Sequence, residues 1–473
     1  MKILLTGATG YIGKRLLITL VNKGYKVICC VRDINRFNPP KSLLQSVQAI
    51  EVDFLDKASL KSIPKDIDGA YYLMHSMSSS TNYERLELIC ATNFREVISR
   101  TKSAHVVYLS GIINEKSLSK HLSSRKSVED ELAKGDYHFT TLRAGIIIGS
   151  GSASFEIIRD LIEKLPVMVV PKWLRTKCQP IGIRDVLSFL SETLFNPATF
   201  DQSFDIGGPD ILSYKRMLLG YAQVRGLKRQ IIIVPVMTPK LSSYWLYFVT
   251  STSYKLASAL VNSMKVEVVC RNNNLNRILN ITPIGYTEAL QRTLTKIKQQ
   301  QIVSSWKDSL ISGRFNFSIS EYINVPTYGC FIFKGSKLIA NRKKCVERLW
   351  EIGGDTGWYY ANWLWKFRGF IDQVFGGVGL RRGRTHYNQL SAGDAIDFWR
   401  VLFSNKEEGR LLLFAEMKLP GEAWLEFKVL NGTLYQTATF RPKGILGRIY
   451  WYAIYLIHGL VFKGLMNQLT KYV

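Results

Sequence analysis

The sequence predicts an α/β protein: a doubly wound parallel sheet with a small second subdomain, followed by a C-terminal α+β domain on an antiparallel sheet. Three observations carry this. A glycine triplet follows the first apolar run, in MKILLTGATGYIG. Nearly continuous apolar runs alternate with amphipathic stretches over the first third of the chain. Beyond residue 300, where eight of the ten tryptophans fall, the alternation gives way to consecutive runs of period two.

In order, KILLTG is a strand and YIGKRLLITLVNKG a helix closed by Gly24. KVICCVR, VQAIEVDFLD and DGAYYLMHSM are the second to fourth strands. The helix NYERLELICATNFREVISRTK, the strand HVVYLSG, the helix SSRKSVEDELAKG and the strand FTTLRAGIIIG follow. Strands without polar alternation, separated by helices, mean a parallel sheet covered on both faces. From about 150 to 300 the pattern loosens into helices and short strands, and TEALQRTLTKIKQQQIVSSWKDS reads as a polar helix and boundary. DAIDFWRVLF, RLLLFAEMKLP, AWLEFKVL and LYQTATFRP are antiparallel strands, and GRIYWYAIYLIHGLVFKGLMNQLTKY is a closing helix. The domains expected are 1–300, a linker over 301–325, and 326–473.

Length and composition set bounds. A chain of 473 residues, 47% hydrophobic, has more than one core. The seven cysteines are scattered without CxxC spacing, so neither a zinc site nor a disulfide framework is expected, and a reducing cytoplasm fits. The N-terminus does not read as a signal peptide. A net charge of +26 favours anionic partners such as phosphorylated cofactors or an acidic membrane surface. No nucleic-acid motif accompanies it. Leu241–Tyr254 and Ile449–Phe462 each run 14 residues without charge, short of the ~20 that a span needs; buried or surface-lying helices are expected.

Gly7-Ala8-Thr9-Gly10-Tyr11-Ile12-Gly13 lies between a strand and a helix. In such a Rossmann-type unit the first glycine allows the turn and the second the approach of a pyrophosphate. The third lets the helix pack on the strand, and the helix N-terminus offers N–H groups to phosphate. At the end of the second strand, where a carboxylate would select NAD(H), the chain has Arg32. A guanidinium suits a 2′-phosphate, so NADP(H) is favoured.

TGATGYIG, VDFLD, MHSM, YLSG and LRAGIIIG, continued by QPIGIRDV (179–186) and FDIGGPDILSYKRML (204–218), resemble the extended and atypical short-chain dehydrogenase/reductase family. The resemblance covers about residues 1–300. It implies that Asp53 and Phe54 flank the adenine, that His75 and Ser76 lie along the cofactor, and that Ala144, Gly145 and Ile146 edge the nicotinamide half. It further implies Ser110 as active-site serine and Asn93 as the family's helix asparagine.

The family's Tyr-x-x-x-Lys pair, one face of one helix, is replaced. In KHLSSRKSVEDEL, aligned on Glu129, the pair becomes His121-x-x-x-Arg125. Arg125 can hold the ribose, and His121 is the candidate proton donor. Tyr83 and Tyr108 are spare phenols without a lysine four residues on.

In the C-terminal part, GWYYANWLWKFRGFIDQVFGGVGLRRGR, LSAGDAIDFWRV and AEMKLPGEAWLEFKV resemble the uncharacterised domain often fused to such modules. That domain is similar to the helix-grip (START or polyketide-cyclase-like) superfamily. It implies a sheet around a long helix, with an apolar cavity between them, although the same aromatics can serve as plain core.

Two functions remain open. One is an NADP(H)-dependent oxidoreductase acting on a lipophilic carbonyl or quinone-like compound. The other is a non-catalytic NADP(H)-binding protein, akin to NmrA-like sensors and the nucleotide-binding accessory subunit of respiratory complex I. An epimerase fits the fold but lacks its acid–base tyrosine. No metal is expected. Localisation is read as cytoplasmic, with peripheral contact at the inner face of an anionic membrane.

Overall fold

The computed structural model describes residues 1–34, 37, 39–74, 83–114, 120–234, 265–272, 274–298, 325–326, 330–374, 377, 379 and 390–471. They form two compact units, one within residues 1–298 and one within 325–471.

The first unit is built on seven parallel strands: β1 (Lys2–Leu5), β2 (Lys26–Val31), β3 (Val47–Glu51), β4 (Gly69–Tyr72), β5 (His105–Gly111), β6 (His138–Ala144) and, later in the chain, Gln202–Ile206. Their spatial order places β3, β2 and β1 on one side and β4, β5, β6 and Gln202–Ile206 on the other. The order reverses between β1 and β4, which opens a crevice at the carboxyl ends of these strands.

The apolar runs follow from two cores, one on each face. Ile3 and Leu5 of β1 enter one core while Leu4 enters the other; on β2, Val27, Cys29 and Val31 alternate in the same way with Ile28 and Cys30. Helix α1 (Tyr11–Asn22) adds Leu16, Leu17 and Leu20 to the first core. Helices α2 (Tyr83–Ile98) and α3 (Lys120–Leu132) cover the second with Phe94, Ile98, Val128 and Leu132. Gly24, at φ +83°, ends α1 as the sequence requires.

Between β6 and the end of this unit the loose pattern resolves into short strands and helices: β7 (Ile147–Ile148), α4 (Ala153–Lys164), β8 (Val167–Pro171), β9 (Lys177–Cys178), β10 (Ile181–Gly182), α5 (Ile183–Thr193), β11 (the Gln202–Ile206 strand), β12 (Leu212–Ser213), α6 (Tyr214–Val224), β13 (Gln230–Val234), α7 (Leu275–Ile278) and α8 (Tyr286–Lys298). Helix α5 packs beside α1 on the first face through Phe189 and Leu190. Helices α4, α6 and α8, with the parallel pair β8–β13, enclose a third core around Ile158, Met217, Tyr221 and Leu290. Ser152 and Ser213 cap α4 and α6 by accepting from Phe155 N and Arg216 N. The boundary helix is α8; residues 299–324 and the Leu241–Tyr254 run lie outside the described residues.

The second unit comprises β14 (Phe331–Leu338), α9 (Arg342–Trp350), α10 (Asn362–Val374), β15 (Ala395–Ile396), β16 (Trp399–Asn405), β17 (Arg410–Ala415), β18 (Gly421–Leu430), β19 (Thr433–Pro442) and α11 (Gly444–Leu469). Its strands form an antiparallel sheet in the order β14-β19-β18-β17-β16-β15. One face, with Leu411, Leu413, Leu425 and Phe427, packs against Trp451, Phe462, Leu465 and Leu469 of α11. Arg400 and Glu416 pair inside this unit at 3.1 Å, both nearly inaccessible. Among the described residues no single helix is long and apolar enough to cross a membrane. The Ile449–Phe462 run lies on α11, which buries Trp451, Val461 and Phe462 and exposes Ile449, Tyr452, Tyr455, Ile457 and Leu460.

Candidate nucleotide and active site

The three glycines do different jobs. Gly7 has φ +65°, and a Cβ there would stand 2.7 Å from Leu73 O on β4's exit. At Gly13 a Cβ would stand 2.2 Å from Gly7 O, so α1 can only seat on the turn without a side chain. Gly10 is different: its N–H donates to Gly7 O at 2.8 Å, and a Cβ would meet only that oxygen, at 3.1 Å. Two glycines are therefore demanded by packing, and Gly10 is left for approach from outside. Thr6, just before the turn, donates to Tyr71 O and accepts from Leu73 N, locking β1 to β4. Ala8 is buried in the core beneath the turn, and Ile12 packs at its edge.

Helix α1 begins at Gly10 with no side-chain cap and no acid in its first turn. A glycine N-cap and a first turn without acid are the setting in which a helix end receives an anion. Tyr11 is half-buried with its hydroxyl inaccessible, and that burial pushes its phenol up to about 12. The Arg15 guanidinium lies 4.2 Å from the Tyr11 ring centre and donates to Ser150 O at 2.9 Å. This fastens the 149–152 loop onto α1 and walls one side of the crevice.

At the adenine end, Arg32 is exposed and has no carboxylate within ion-pair distance among the described residues, whereas the adjacent Asp33 is buried. Asp53 Oδ1 accepts from Leu55 N at 3.0 Å, shaping its own loop, and Phe54 is buried against Phe94. Burial pushes the Cys90 thiol up to about 12, with Asp53 raising it further and Arg32 lowering it, which makes these three groups neighbours. Asn93, grouped with the catalytic residues in the sequence, is buried and donates to Phe54 O at 2.7 Å. Its amide is committed to holding the adenine-side loop.

At the other end, Ala144 and Gly145 continue β6 toward Ile206 and Gln179. A Cβ on Gly145 would stand 2.2 Å from Gln179 O, so the backbone there runs in contact with the second subdomain. Ile146 packs against its core. Gln179 in turn donates to Gly208 O at 2.6 Å and accepts from Cys270 N at 3.0 Å. His75 and Ser76 lie outside the described residues.

The chemistry-bearing groups meet at the end of β5. Ser110 and Tyr108 are two residues apart on one strand and share a face. The Arg125 guanidinium, from α3, lies over Gly111, where a Cβ would stand 2.6 Å from its Nη1. Burial raises the Tyr108 phenol; the Arg125 charge and the Ser110 hydroxyl beside it oppose that rise. Arg125 Nε is buried with no hydrogen-bond partner among the described residues. Helix α3 is held by Glu129, which takes Arg143 of β6 at 2.5 and 3.1 Å, and by the bond of 2.5 Å from Ser124 to Glu87 of α2. His121 belongs to α3, one turn before Arg125, but its side chain lies outside the described residues.

Tyr108, which the sequence offers only as a spare phenol, is one of these candidate groups. It lacks a lysine four residues on, because its cation arrives from another element. The readable signal was Tyr-x-Ser on a strand, which puts phenol and hydroxyl on one side.

An uncapped helix end behind a turn that only glycine can fill, and an orphaned guanidinium nitrogen at the far end of the crevice, fit a dinucleotide. The first unit has a Rossmann-type fold. Residues 3–112 match the NAD dependent epimerase/dehydratase family. Residues 337–465 match a family described as a protein of unknown function, DUF2867. The chain is 23% identical over 226 residues to the chloroplastic divinyl chlorophyllide a 8-vinyl-reductase of Arabidopsis thaliana, covering 44% of this chain and 54% of that one. It is 23% identical over 248 residues to the photosystem II assembly factor Ycf39 of Trieres chinensis, covering 51% and 75%. The chain thus spans about half the length of the vinyl-reductase it matches. Among solved structures, the Citrobacter triphenylmethane reductase complexed with NADP(H) superposes with a TM-score of 0.51 at 14% identity, over 62% of this chain and 100% of that one. That likeness establishes the fold.

Proposed function

We propose that the first unit binds NADP(H) in preference to NAD(H) and passes reducing equivalents between it and a lipophilic carbonyl or quinone-like compound. The observation that carries this is the meeting of Ser110, Tyr108 and Arg125 at the end of β5. Two similar proteins are named as reductases, of a chlorophyllide and of triphenylmethane dyes, and this supports a reductive reading. The cofactor, when bound, supplies or accepts a hydride. The residues of the chain do the rest. The N–H groups at the start of α1 hold the pyrophosphate, the exposed Arg32 pairs with the 2′-phosphate, and Arg125 donates to the nicotinamide ribose. Ser110 donates to the substrate oxygen. Tyr108, kept protonated by burial, can replace that proton through Ser110. His121, four residues before Arg125 in the sequence, is the second candidate donor. Loss of NADPH absorbance across a panel of quinones and lipophilic carbonyls tests the reading. Losing a general acid costs on the order of 10²–10⁴-fold in turnover, so whichever of Tyr108→Phe and His121→Ala shows that loss is the donor. No turnover with any substrate, alongside retained NADPH binding, would favour the second reading, a cofactor-holding protein. The absence of a Tyr-x-x-x-Lys pair is what keeps that reading open.

We further propose that the chain works at an anionic membrane surface. Trp363, Phe367, Phe370 and Val374 form an exposed apolar stripe on α10, and Ile445, Ile449, Tyr452 and Leu460 form one on α11. Lys366, Lys443, Arg448 and Lys463 flank them. Aromatic and apolar residues beside basic ones suit insertion at the headgroup level of acidic lipids.

A further inference from the structure

The second unit contains one open pocket of about 70 Å³ between the strands and helices α10 and α11. Its walls are aromatic. Trp451 stacks on Phe440 at 5.7 Å and on Phe331 at 5.2 Å, and Trp424 meets Phe414 edge-on. Met417 and Leu419 complete the apolar lining.

Within this apolar lining sit polar groups that nothing among the described residues satisfies. The indole Nε1 atoms of Trp365 and Trp399 are both buried without an acceptor. Their residues are 9% and 5% exposed, and both line the cavity. The contrast with Trp358 is instructive. It stacks on Trp365 at 4.6 Å, does not line the cavity, and donates its own Nε1 to Asp397 at 2.9 Å. Buried N–H groups are ordinarily paired, and two donors without a partner on residues of one pocket lining favour an occupant that accepts.

A cation stands beside them. Arg368 of α10 lines the same cavity and is bonded to Tyr450 and, at 3.4 Å, to Lys418 O. It has no ion-pair partner among the described residues. The acid one turn further on, Asp372, is buried and accepts from Lys418 N at 2.6 Å and Gly379 N at 2.7 Å. His458, whose Nδ1 is also buried and unpartnered, completes the polar lining; burial and then Arg368 hold its imidazole down to about 4, so it adds no charge at neutral pH.

We propose that this cavity binds an amphipathic carboxylate, its anionic head on Arg368 and the two indole N–H groups and its apolar body along Trp424 and Trp451. Ionised carboxylates accept at both oxygens and pair best with guanidinium. The pocket has room for such a head beside Arg368, and because it is open to solvent the body can extend along its aromatic wall. The site is independent of the nucleotide reading.

Calorimetric titration of the full-length protein tests this with four probes: decanoate, decan-1-ol, 1-pyrenebutanoate and 1-pyrenebutanol. One carboxylate is expected to bind at 1:1 with its alcohol at least roughly tenfold weaker, the scale of a charge-assisted bond. Preference for the decyl pair assigns a flexible acyl chain, and preference for the pyrenyl pair a flat ring system. Arg368→Gln should weaken the carboxylate by a similar factor and leave the alcohol unchanged. Trp399→Phe and Trp365→Phe keep an aromatic ring and remove the N–H, so each should weaken the carboxylate a few-fold. These two carry the test if Arg368→Gln fails to fold, judged by near-ultraviolet circular dichroism. Gly10→Ala, directed at the nucleotide site, should leave carboxylate binding untouched. The proposal is overturned if neither carboxylate binds below about 1 mM, if alcohols bind as tightly as acids, or if the variants bind carboxylate like the parent.

Discussion

Replacing Gly13 by alanine should destabilise the first unit, while the same change at Gly10 should spare the fold and damage dinucleotide binding. The two positions are three residues apart at the start of one helix. Helix propensity alone favours alanine over glycine by about 1 kcal/mol, so a purely local view has Gly13→Ala stabilising. The structure reverses the sign. A Cβ at Gly13 would stand 2.2 Å from Gly7 O, 2.8 Å from Gly7 C and 2.9 Å from Ala8 Cα. All three are backbone, and Gly7 is itself pressed against Leu73 O, so the turn cannot retreat. Overpacking of this kind costs roughly 1–3 kcal/mol, and the rigid neighbours put it at the upper end. Subtracting the propensity gain leaves about 2 kcal/mol of destabilisation, or roughly 4 °C in a unit of this size. At Gly10 the contact is 3.1 Å to one oxygen and φ is −80°, which alanine adopts freely. There the methyl group instead occupies the approach of the pyrophosphate. Calorimetric melting of both variants, paired with fluorescence titration of NADPH, reads the two effects separately. A Gly13→Ala protein that melts at or above the parent temperature would refute the packing argument. Full NADPH affinity in Gly10→Ala would remove the glycine turn from the binding site.

Four further outcomes follow from the geometry. Arg32→Glu should erase or reverse a preference for NADPH over NADH, and equal titration curves for both cofactors in the parent would remove the preference altogether. Arg125→Ala should weaken cofactor binding, whereas Tyr108→Phe should lower turnover with cofactor affinity unchanged; the reverse split would exchange their roles. His105 is inaccessible, accepting from Phe195 N at 2.9 Å, and burial holds it down to about 4 against an ordinary 6.5. The unfolded chain therefore binds the proton first, so stability is complete above about pH 6.5 and falls toward pH 4, by about 2 kcal/mol at pH 5; urea midpoints of the parent and His105→Asn at pH 7.5 and 5 measure it, and an equal loss in both would clear the histidine. Flotation with vesicles containing an acidic phospholipid should carry the protein upward and fail for a Phe367→Ser, Ile449→Ser variant, while flotation unaffected by that change would place the contact elsewhere.

The sheet of the first unit was legible because its strands are buried on both faces. When every position of β1 or β2 enters one core or the other, the sequence shows an unbroken apolar run, and parallel order follows. The glycine turn was legible for a similar reason: at Gly7 and Gly13 backbone contacts leave no alternative residue. Residues 150–300 were harder to read, because the second subdomain takes its core from short elements scattered along the chain, such as Ile158, Met217 and Leu290. Those contacts carry no local period. The active end of the crevice shows the same limit more sharply. Asn93 matched a family pattern, yet its amide is spent on Phe54 O, a bond between residues 39 apart in sequence. Tyr108 matched no pattern, because the motif sought a lysine on the same helix face as the tyrosine. In this fold the cation comes from α3 and the phenol from β5, and the bridge from Glu129 to Arg143 sets where α3 delivers it. The proposed pair stands on two elements and so leaves no spacing along one helix; its mark is a buried phenol with an arginine charge acting on it.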